Sequence, residues 1–468
     1  MLHPGGVTAT AAQPPAGASR SSALWARDRR FTTAGLLLLI TIAAFEAMSV
    51  GTAMPTMVAE LRGEALYSWP FTAFLAASVI GTVVSGRLGD TRGPRLPLIG
   101  GPVLFGAGLL VAGMAPGMTV LLAGRVLQGL AAGVEIVAVY ILVALVYPER
   151  DRPAVFGAVS AAWVLPALIG PTVAGLITQH VGWRWVFLGL MPFVLLGIVL
   201  LVPLLRRLPE SPAGEGGTRP GVLAAAVAAA VGLSALTWAA QHPAAATALL
   251  AAGGLALLAP ALRRLLPAGT LTAARGLPTV VFARGLLAGS FFAVEAYLPL
   301  TLTAVHGASP ALAGLPLTVG ALGWAAGSWW QGRRPDFPRD RLLRAGFVLL
   351  AVGLVGTTVA AFAAPPYWLV LPVWTAAGAG MGLAMPSVGV RLLQLSPPAD
   401  RGFNSAAMQI WDMLLSAACI GFGGVLLVTI ASVGAPTPAV VTLNLLMAAV
   451  ALAGAALATR TNTPAEVS

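Results

Sequence analysis

The sequence predicts an all-α protein that crosses a membrane many times, and three observations support this prediction. Of its 468 residues, 58% are hydrophobic and 9% are charged, whereas soluble domains carry about 25% charged residues. Apolar stretches of about 20 residues recur from end to end, and a helix of about that length crosses the apolar core of a bilayer. The arginines lie mainly in alternate loops, as expected for membrane proteins.

Fourteen segments have the length and hydrophobicity of membrane-spanning helices. The pair within 221–262 is the weakest, because its alanine-rich runs are less hydrophobic than leucine-rich ones. Without that pair the chain would have twelve spans and a long inner loop. Numbered 1 to 14 in chain order, the segments are roughly 34–58, 69–86, 96–115, 119–147, 153–178, 184–205, 221–240, 244–262, 279–304, 311–330, 342–363, 367–393, 403–430 and 437–458.

The arginines predict the orientation of these segments. All 27 basic residues are arginine, and four of them lie outside the predicted cytoplasmic regions, namely Arg62, Arg125, Arg184 and Arg284. The other 23 (27 less 4) lie in tails or loops that an inside N-terminus places in the cytoplasm. This bias predicts an inner (plasma) membrane protein with both termini cytoplasmic. Because the arginines are scattered over short loops, the net charge of +11 does not indicate a nucleic-acid partner.

An internal repeat divides the chain into two six-helix bundles related by pseudo-two-fold symmetry. Glu46 in segment 1 and Glu295 in segment 9 each precede an alanine, and a proline follows further along each segment. Weak similarity between halves is typical of membrane proteins built by duplication. The predicted regions are a disordered cytoplasmic tail (1–30), a first bundle (31–206), a cytoplasmic linker with two extra helices (207–278), a second bundle (279–459) and a short cytoplasmic tail (460–468).

Several classes of protein are excluded by what the sequence lacks. The only cysteine, Cys419, lies within segment 13, so we expect neither a disulfide framework nor a metal site. The chain has no Walker loop, HExxH motif or nucleophile elbow, and no soluble region large enough for a catalytic domain. We therefore predict no enzyme activity, no cofactor and no ATP-driven process.

Four acids and an arginine within the apolar segments are the main candidate functional residues: Glu46, Glu135, Glu295, Asp412 and Arg125. A charge at the centre of a bilayer costs about 2.5–3.5 kcal/mol on insertion scales, so such residues usually face a cavity or a partner. With a rise of about 1.5 Å per residue, Glu46 and Arg125 reach similar heights and are predicted to form a pair. Glu295 is predicted at a similar height, so that both glutamates would surround one central cavity.

Other residues in these segments have two alternative roles or a depth that the segment ends decide. The depth of Glu135 depends on where segment 4 ends, and Arg284 is close enough to the cytoplasmic face to extend its head group into it. Trp163 and Trp411 occupy matching places in segments 5 and 13, so they are candidate cavity aromatics. The alternative for these tryptophans is simple packing, and the alternative for the two matched glutamates is a structural charge network.

Three motifs resemble those of a known family. Between segments 2 and 3, a loop carries Gly86, Asp90, Arg92, Gly93 and Arg95 in the spacing of a cytoplasmic signature of the major facilitator superfamily, although Thr91 and Pro94 stand where basic residues are usual. Segment 4 contains Arg125-Val126-Leu127-Gln128-Gly129, which is similar to the intramembrane Arg-x-x-Gln-Gly motif. Segment 5 contains Gly170, Pro171 and Gly175, which resemble the Gly-Pro signature of the antiporters.

The resemblance is to the fourteen-span drug:proton antiporter branch, and it implies specific roles. Asp90 and its neighbours would control the conformational equilibrium by contacting the inner end of the helix that begins near Gly402. The Gly-Pro motif would provide a smooth contact face where two bundles rock. Burial raises the pKa of a carboxyl group and a nearby arginine lowers it, so a carboxyl that moves between these surroundings can load and release a proton.

The sequence therefore predicts proton-coupled efflux of hydrophobic or cationic small molecules by alternating access. Its expected partners are the lipid bilayer, amphipathic substrates and protons, and we expect a monomer. Two alternatives stay open: an exporter of lipids or metabolites with the same fold, and a membrane sensor or scaffold that does not transport.

Overall fold

A computed structural model describes residues 24–27, 29–208, 221–334 and 336–462. Within these ranges the chain forms fifteen α-helices and no β-strand. The helices are α1 (Arg30–Glu60), α2 (Trp69–Arg92), α3 (Arg95–Gly113), α4 (Met118–Val146), α5 (Arg152–His180), α6 (Arg184–Leu188), α7 (Met191–Arg207), α8 (Val222–Gln241), α9 (Ala245–Leu265), α10 (Leu277–His306), α11 (Pro310–Gly332), α12 (Arg339–Thr357), α13 (Val370–Leu395), α14 (Arg401–Thr429) and α15 (Thr437–Leu457).

Fourteen spans of membrane-crossing length and hydrophobicity occur among the described residues, as predicted. Segment 6 differs from the prediction because it is interrupted: α6 ends at Leu188 and α7 begins at Met191. α1 begins and α15 ends on one side of the molecule, called the terminal side below; the opposite side is called the distal side. Residues 1–23 and 28 of the predicted tail, 209–220 of the linker and 463–468 lie outside the described residues.

The ordered chain starts earlier than predicted, because Leu24 packs against the core and α1 begins at Arg30. The carbonyl of Leu24 accepts a hydrogen bond from Thr33 Oγ1 at 2.8 Å, and Arg29 forms an ion pair with Asp151 at 3.3 Å. These contacts attach the beginning of α1 to the loop that precedes α5. Residues 24–27, 29 and 30 of the predicted disordered tail are therefore ordered.

Helix packing follows the predicted pseudo-two-fold repeat. In the first half α4 packs against α2 and α3, and in the second half α13 packs against α11 and α12 in the same way. The pair α1–α5 likewise corresponds to the pair α10–α14, and α1–α7 corresponds to α10–α15. The two halves meet mainly along α5–α11 and α2–α14, with a smaller contact between α1 and α10.

The inserted pair α8–α9 lies outside the two bundles. α8 packs against α9, against α2 of the first half and against α14 of the second half. At its distal end the side-chain amide of Gln241 accepts a hydrogen bond from Trp69 Nε1 at 2.8 Å and donates one to Ser68 Oγ at 3.2 Å. Trp238 packs edge-on against Trp69 in the same place. The pair has the length and hydrophobicity of two membrane spans, as predicted, and directed polar contacts attach it to the first half.

Candidate functional site

A cavity of about 490 Å³ lies between the two halves and contains most of the predicted charged residues. Its wall is formed mainly by α1, α2, α4 and α5 of the first half and by α10 and α14 of the second, and no residue of α8 or α9 contributes to it. Most of the lining side chains are apolar or aromatic. Three acids line the cavity, namely Glu135, Glu295 and Asp412.

The cavity opens toward the terminal side. Tyr140 and Trp163 line the cavity, and each lies in the half of its helix that is nearer the terminal side. Their side chains are 60% and 43% exposed. Along α14, which begins on the terminal side, Gln409 and Asp412 are half-buried, whereas Ser416 and Ile420 are buried. Access therefore decreases from the terminal side toward the distal side.

An aromatic pair closes the distal side above the cavity. Tyr67, at the start of the second span, and Tyr297, on α10, have ring centroids 5.3 Å apart. The Tyr67 hydroxyl donates to the Ala296 carbonyl across the two halves at 3.1 Å, and the Tyr297 hydroxyl donates to the Ile420 carbonyl at 2.8 Å. Both tyrosines are buried. The structure is thus closed on the distal side and open on the terminal side.

The predicted contact between Glu46 and Arg125 is present. Arg125 Nη1 donates to Glu46 Oε1, and the same nitrogen lies 2.7 Å from Gln128 Oε1. Arg125 Nε donates to the Pro70 carbonyl at 3.1 Å, and the guanidinium lies over the Phe74 ring at 4.4 Å from its centroid. These partners compensate for burial of the cation, because a buried charge is stable only when it is paired and hydrogen-bonded.

Glu46 does not occupy the position predicted for it. Its side chain is fully buried and does not line the cavity, whereas Arg125 does. Neighbouring residues on a helix project about 100° apart, and the next two residues, Ala47 and Met48, line the cavity instead. Only Glu295 of the two matched glutamates lies on the cavity wall; Glu46 lies behind Arg125.

Glu135 and Glu295 are the two lining acids without a partner among the described residues. Glu295 forms no hydrogen bond or ion pair with any residue in the described ranges, and Glu135 Oε1 is buried there without a hydrogen-bond partner. The two acids belong to opposite halves, on α4 and α10. A proton, a cation or water entering from the terminal side can therefore satisfy them.

Asp412, the third acid that lines the cavity, forms an ion pair in the terminal half of the cavity. Arg284 Nε donates to Asp412 Oδ2 at 2.6 Å, and the two side chains are 20% and 14% exposed. This contact links α10 to α14 within the second half. Arg284 was expected to extend to the membrane surface, but it forms this ion pair instead.

The two candidate tryptophans differ in position. Trp163 lines the cavity, as does Phe156, whose ring lies 5.4 Å from that of Tyr140. Trp411 does not line the cavity: it is buried, and its Nε1 donates to the Phe282 carbonyl at 3.2 Å. Trp411 therefore has the packing role that was the alternative for it.

The loop with the cytoplasmic signature lies on the terminal side. Gly93 has φ of +80°, a conformation that glycine adopts without strain, and Arg95 begins α3. Asp90 and Arg92 are exposed, and Asp90 forms no hydrogen bond or ion pair with any residue that the structure describes. Gly86 has open space around it. The predicted contact with the beginning of α14 is not formed in this open conformation, and the gating role stays a prediction.

The Gly-Pro motif lies where the first half meets α11. A Cβ built on Gly175 would lie 2.6 Å from the Pro310 carbonyl oxygen and the Ala311 Cα, so only glycine fits this approach. One turn earlier, the Pro171 carbonyl contacts Gly314 in the same way, and Gly170 packs against α1. The motif forms a close backbone contact between the halves on the distal side.

Several residues of the site were not predicted. Gln128 was noted only as part of the Arg-x-x-Gln-Gly motif, and its spacing three residues along the same helix could have indicated its contact with Arg125. Phe74, Tyr140 and the Tyr67–Tyr297 pair carried no distinguishing pattern, because aromatic residues are common in membrane helices.

Comparison with known proteins identifies the class. The sequence profile described as the Major Facilitator Superfamily matches residues 36–418. This range is more than half of the chain and includes both halves. The chain belongs to the Major Facilitator Superfamily.

Among its relatives, the "Uncharacterized MFS-type transporter Rv1877" of Mycobacterium tuberculosis is 28% identical over 411 residues, which are 82% of this chain and 58% of that protein. The chain thus spans less than two thirds of the length of that relative. The "Probable multidrug-efflux transporter Rv1634" of the same organism is 28% identical over 405 residues, covering 80% of this chain and 83% of that protein. The "Multidrug transporter protein MdtP" of Bacillus subtilis is 30% identical over 173 residues, covering 37% and 32%.

Solved structures share the fold. A POT family transporter in complex with a thioalcohol-conjugated peptide superposes with a TM-score of 0.68 and 13% identity, over 92% of this chain and 97% of the other. An auto-inhibited POT family peptide transporter gives a TM-score of 0.64 at 16% identity, over 92% and 98%. At these identities the similarity supports the fold alone.

Proposed function

We propose that the protein is a proton-coupled antiporter that exports hydrophobic, often cationic, small molecules by alternating access. The observation that carries the proposal is the cavity itself, which is open on the terminal side and combines an aromatic and apolar wall with acids from both halves. Such a wall accepts varied amphipathic molecules, and fixed carboxylates favour cations. The relatives named as multidrug-efflux proteins agree with this substrate class.

The arginine bias supports a plasma-membrane protein whose terminal side faces the cytoplasm. The open state is then the one that takes up substrate from the cytoplasm. The proposal requires a lipid bilayer, protons and substrate, and it requires no partner protein, so a monomer is expected to function.

The unpaired acids explain how protons could be exchanged for substrate. Glu295 and Glu135 can be neutralised either by a proton or by a cationic group of the substrate, and one carboxylate cannot hold both. When the cavity opens on the distal side, a higher proton concentration there displaces the substrate. The returning protein then carries protons inward and releases them on the terminal side.

The Glu46–Arg125 pair has a different part in this scheme. Because Glu46 is fully buried behind Arg125, a proton reaches it only when the pair separates. We assign to this pair the coupling of protonation to the change of conformation. Asp412 is held by Arg284 in the open state, and a change in that contact is the corresponding step in the second half.

The test uses purified protein reconstituted in vesicles with an imposed pH gradient and a panel of fluorescent cationic dyes and labelled lipids. We expect a proton gradient to drive dye transport and dye addition to dissipate the gradient. Glu295→Gln is expected to lose gradient-driven transport and to bind the cationic dyes more weakly. Glu149→Gln, which removes an exposed acid on the terminal side, is the matched control and is expected to behave like the parent protein.

The outcomes separate the alternatives. Transport of labelled lipid without transport of dyes would favour a lipid exporter, and binding without any transport would favour a sensor or scaffold. Dye transport that does not respond to the pH gradient would contradict proton coupling. Normal gradient-driven transport by Glu295→Gln would remove that residue from the mechanism.

A further inference from the structure

A second concave surface lies far from the central cavity, on the outside of the second half. It is a groove of about 550 Å³, called the α12 groove below, and it lies along α12 with one contribution from α13. Its lining residues are Arg341, Arg344, Ala345, Val348, Leu349, Val352 and Leu383.

The groove has a charged end and an apolar wall, which match the two parts of an amphipathic ligand. Its two cations, Arg341 and Arg344, lie at the beginning of α12, and the rest of its wall is apolar. From Arg341 to Val352 the helix rises about 16 Å at 1.5 Å per residue. Val348 and Val352 are 43% and 59% exposed, so no other described part of the chain covers this apolar face.

The two arginines lie at the depth of lipid head groups. The first residue of α12, Arg339, donates to Gln331 Oε1 at 3.1 Å, which places the start of α12 level with the last turn of α11. In that turn the Arg333 guanidinium stacks 3.8 Å from the ring centroid of the exposed Trp329. Tryptophan and arginine are enriched where a bilayer meets water. The groove arginines, two and five residues into α12, lie about 3 and 8 Å deeper.

The groove arginines are available for a ligand. Neither forms a hydrogen bond or an ion pair with any residue in the described part of the chain. Other arginines on the terminal side are occupied, for example Arg391, which donates to the Thr461 carbonyl at 2.9 Å. The segment 333–344 carries five arginines and two aspartates, a net charge of +3. Guanidinium groups bind phosphate oxygens in a bidentate manner, and a positive surface attracts anionic lipids.

We propose that the α12 groove binds an anionic phospholipid of the leaflet on the terminal side, with the phosphate at the two arginines and an acyl chain along the valine face. The apolar wall distinguishes a lipid from a free phosphate, because a soluble anion would leave it unused. This site is independent of the transported substrate and of the central cavity.

The test measures lipid retention by native mass spectrometry of the purified full-length protein after addition of phosphatidylglycerol or phosphatidylcholine. We expect a phosphatidylglycerol adduct that R341Q/R344Q weakens about tenfold or more. The matched control is R263Q/R264Q, which removes two exposed arginines at the terminal end of α9 and is expected to retain the adduct.

A second variant tests the apolar part of the site without changing charge. V348W fills the groove at an exposed position and is expected to weaken the adduct even if R341Q/R344Q folds poorly. Equal retention of phosphatidylcholine, or unchanged retention by both R341Q/R344Q and V348W, would overturn the proposal. Displacement of the lipid by glycerol phosphate alone would identify a soluble-anion site instead and would also overturn it.

Discussion

The buried ion pair between Glu46 and Arg125 leads to a prediction about stability whose size follows from the structure. The Arg125 and Glu46 side chains are 4% and 0% exposed, and Glu46 Oε2 has no hydrogen-bond partner among the described residues. Removing one partner of a buried pair costs about 3–5 kcal/mol, because the other charge is left uncompensated. In Glu46→Ala the guanidinium keeps Gln128 and the Pro70 carbonyl. The expected decrease in the free energy of unfolding is therefore at the lower end of this range, about 3 kcal/mol.

The same reasoning predicts that the two residues are strongly coupled. In Arg125→Ala the Glu46 carboxyl loses its only described hydrogen-bond donor, so the expected loss of stability is at least as large as for Glu46→Ala. The double variant leaves no unpaired charge. Its loss should be smaller than the sum of the single losses by about 2 kcal/mol or more.

The measurement is the free energy of unfolding in detergent micelles for the parent protein, both single variants and the double variant. Glu149→Ala is the control, because Glu149 is 91% exposed and its pair with Arg152 is a surface contact that should contribute no measurable stability. Strictly additive losses, or a neutral Glu46→Ala, would refute the idea that the pair is held in a region that excludes water.

Three further predictions concern conformation and topology. Asp90→Asn should change the accessibility of cysteines placed in the cavity and slow turnover, with little change in substrate affinity; a large loss of affinity at unchanged accessibility would contradict a gating role. Gly175→Val should separate the halves on the distal side, because its side chain would meet the α11 backbone, and should increase labelling of a distal cysteine in a Cys419→Ala background. Gly157→Val, on the same helix in open space, should have no such effect, and equal labelling in both variants would argue against the contact. A reporter fused at Ala244 should read as external and one at Arg275 as cytoplasmic; a cytoplasmic reading at Ala244 would mean that α8 and α9 do not span the membrane in the cell.

The number and position of the spans were predictable because each must be long and apolar enough to cross a bilayer. The Glu46–Arg125 contact was predictable because the rise per residue gives the height of each side chain. The same arithmetic does not give the rotation of a helix about its axis. Trp411 and Asp412 are neighbours, yet Asp412 lines the cavity and Trp411 does not.

Contacts that depend on the relative position of the two halves could not be predicted from the sequence either. The Tyr67–Tyr297 pair joins residues more than two hundred positions apart, and nothing in either local pattern indicates the other. The partner of Arg284 depends on how α10 and α14 are rotated toward each other. The open terminal side, where Asp90 forms no hydrogen bond or ion pair with the described residues, is a property of one conformation of the chain.

Because α8 contacts both halves, any rocking of the halves must also change the position of the inserted pair. α8 contacts α2 of one half and α14 of the other, so it cannot keep both contacts unchanged when the halves rotate. Its directed hydrogen bonds are to Ser68 and to Trp69 at the start of α2, whereas its packing against α14 is mainly apolar and includes Leu414, Ala417 and Gly421. Hydrogen bonds depend on direction and resist displacement, whereas apolar packing does not depend on direction. We therefore expect the inserted pair to move with the first half while α14 shifts against it.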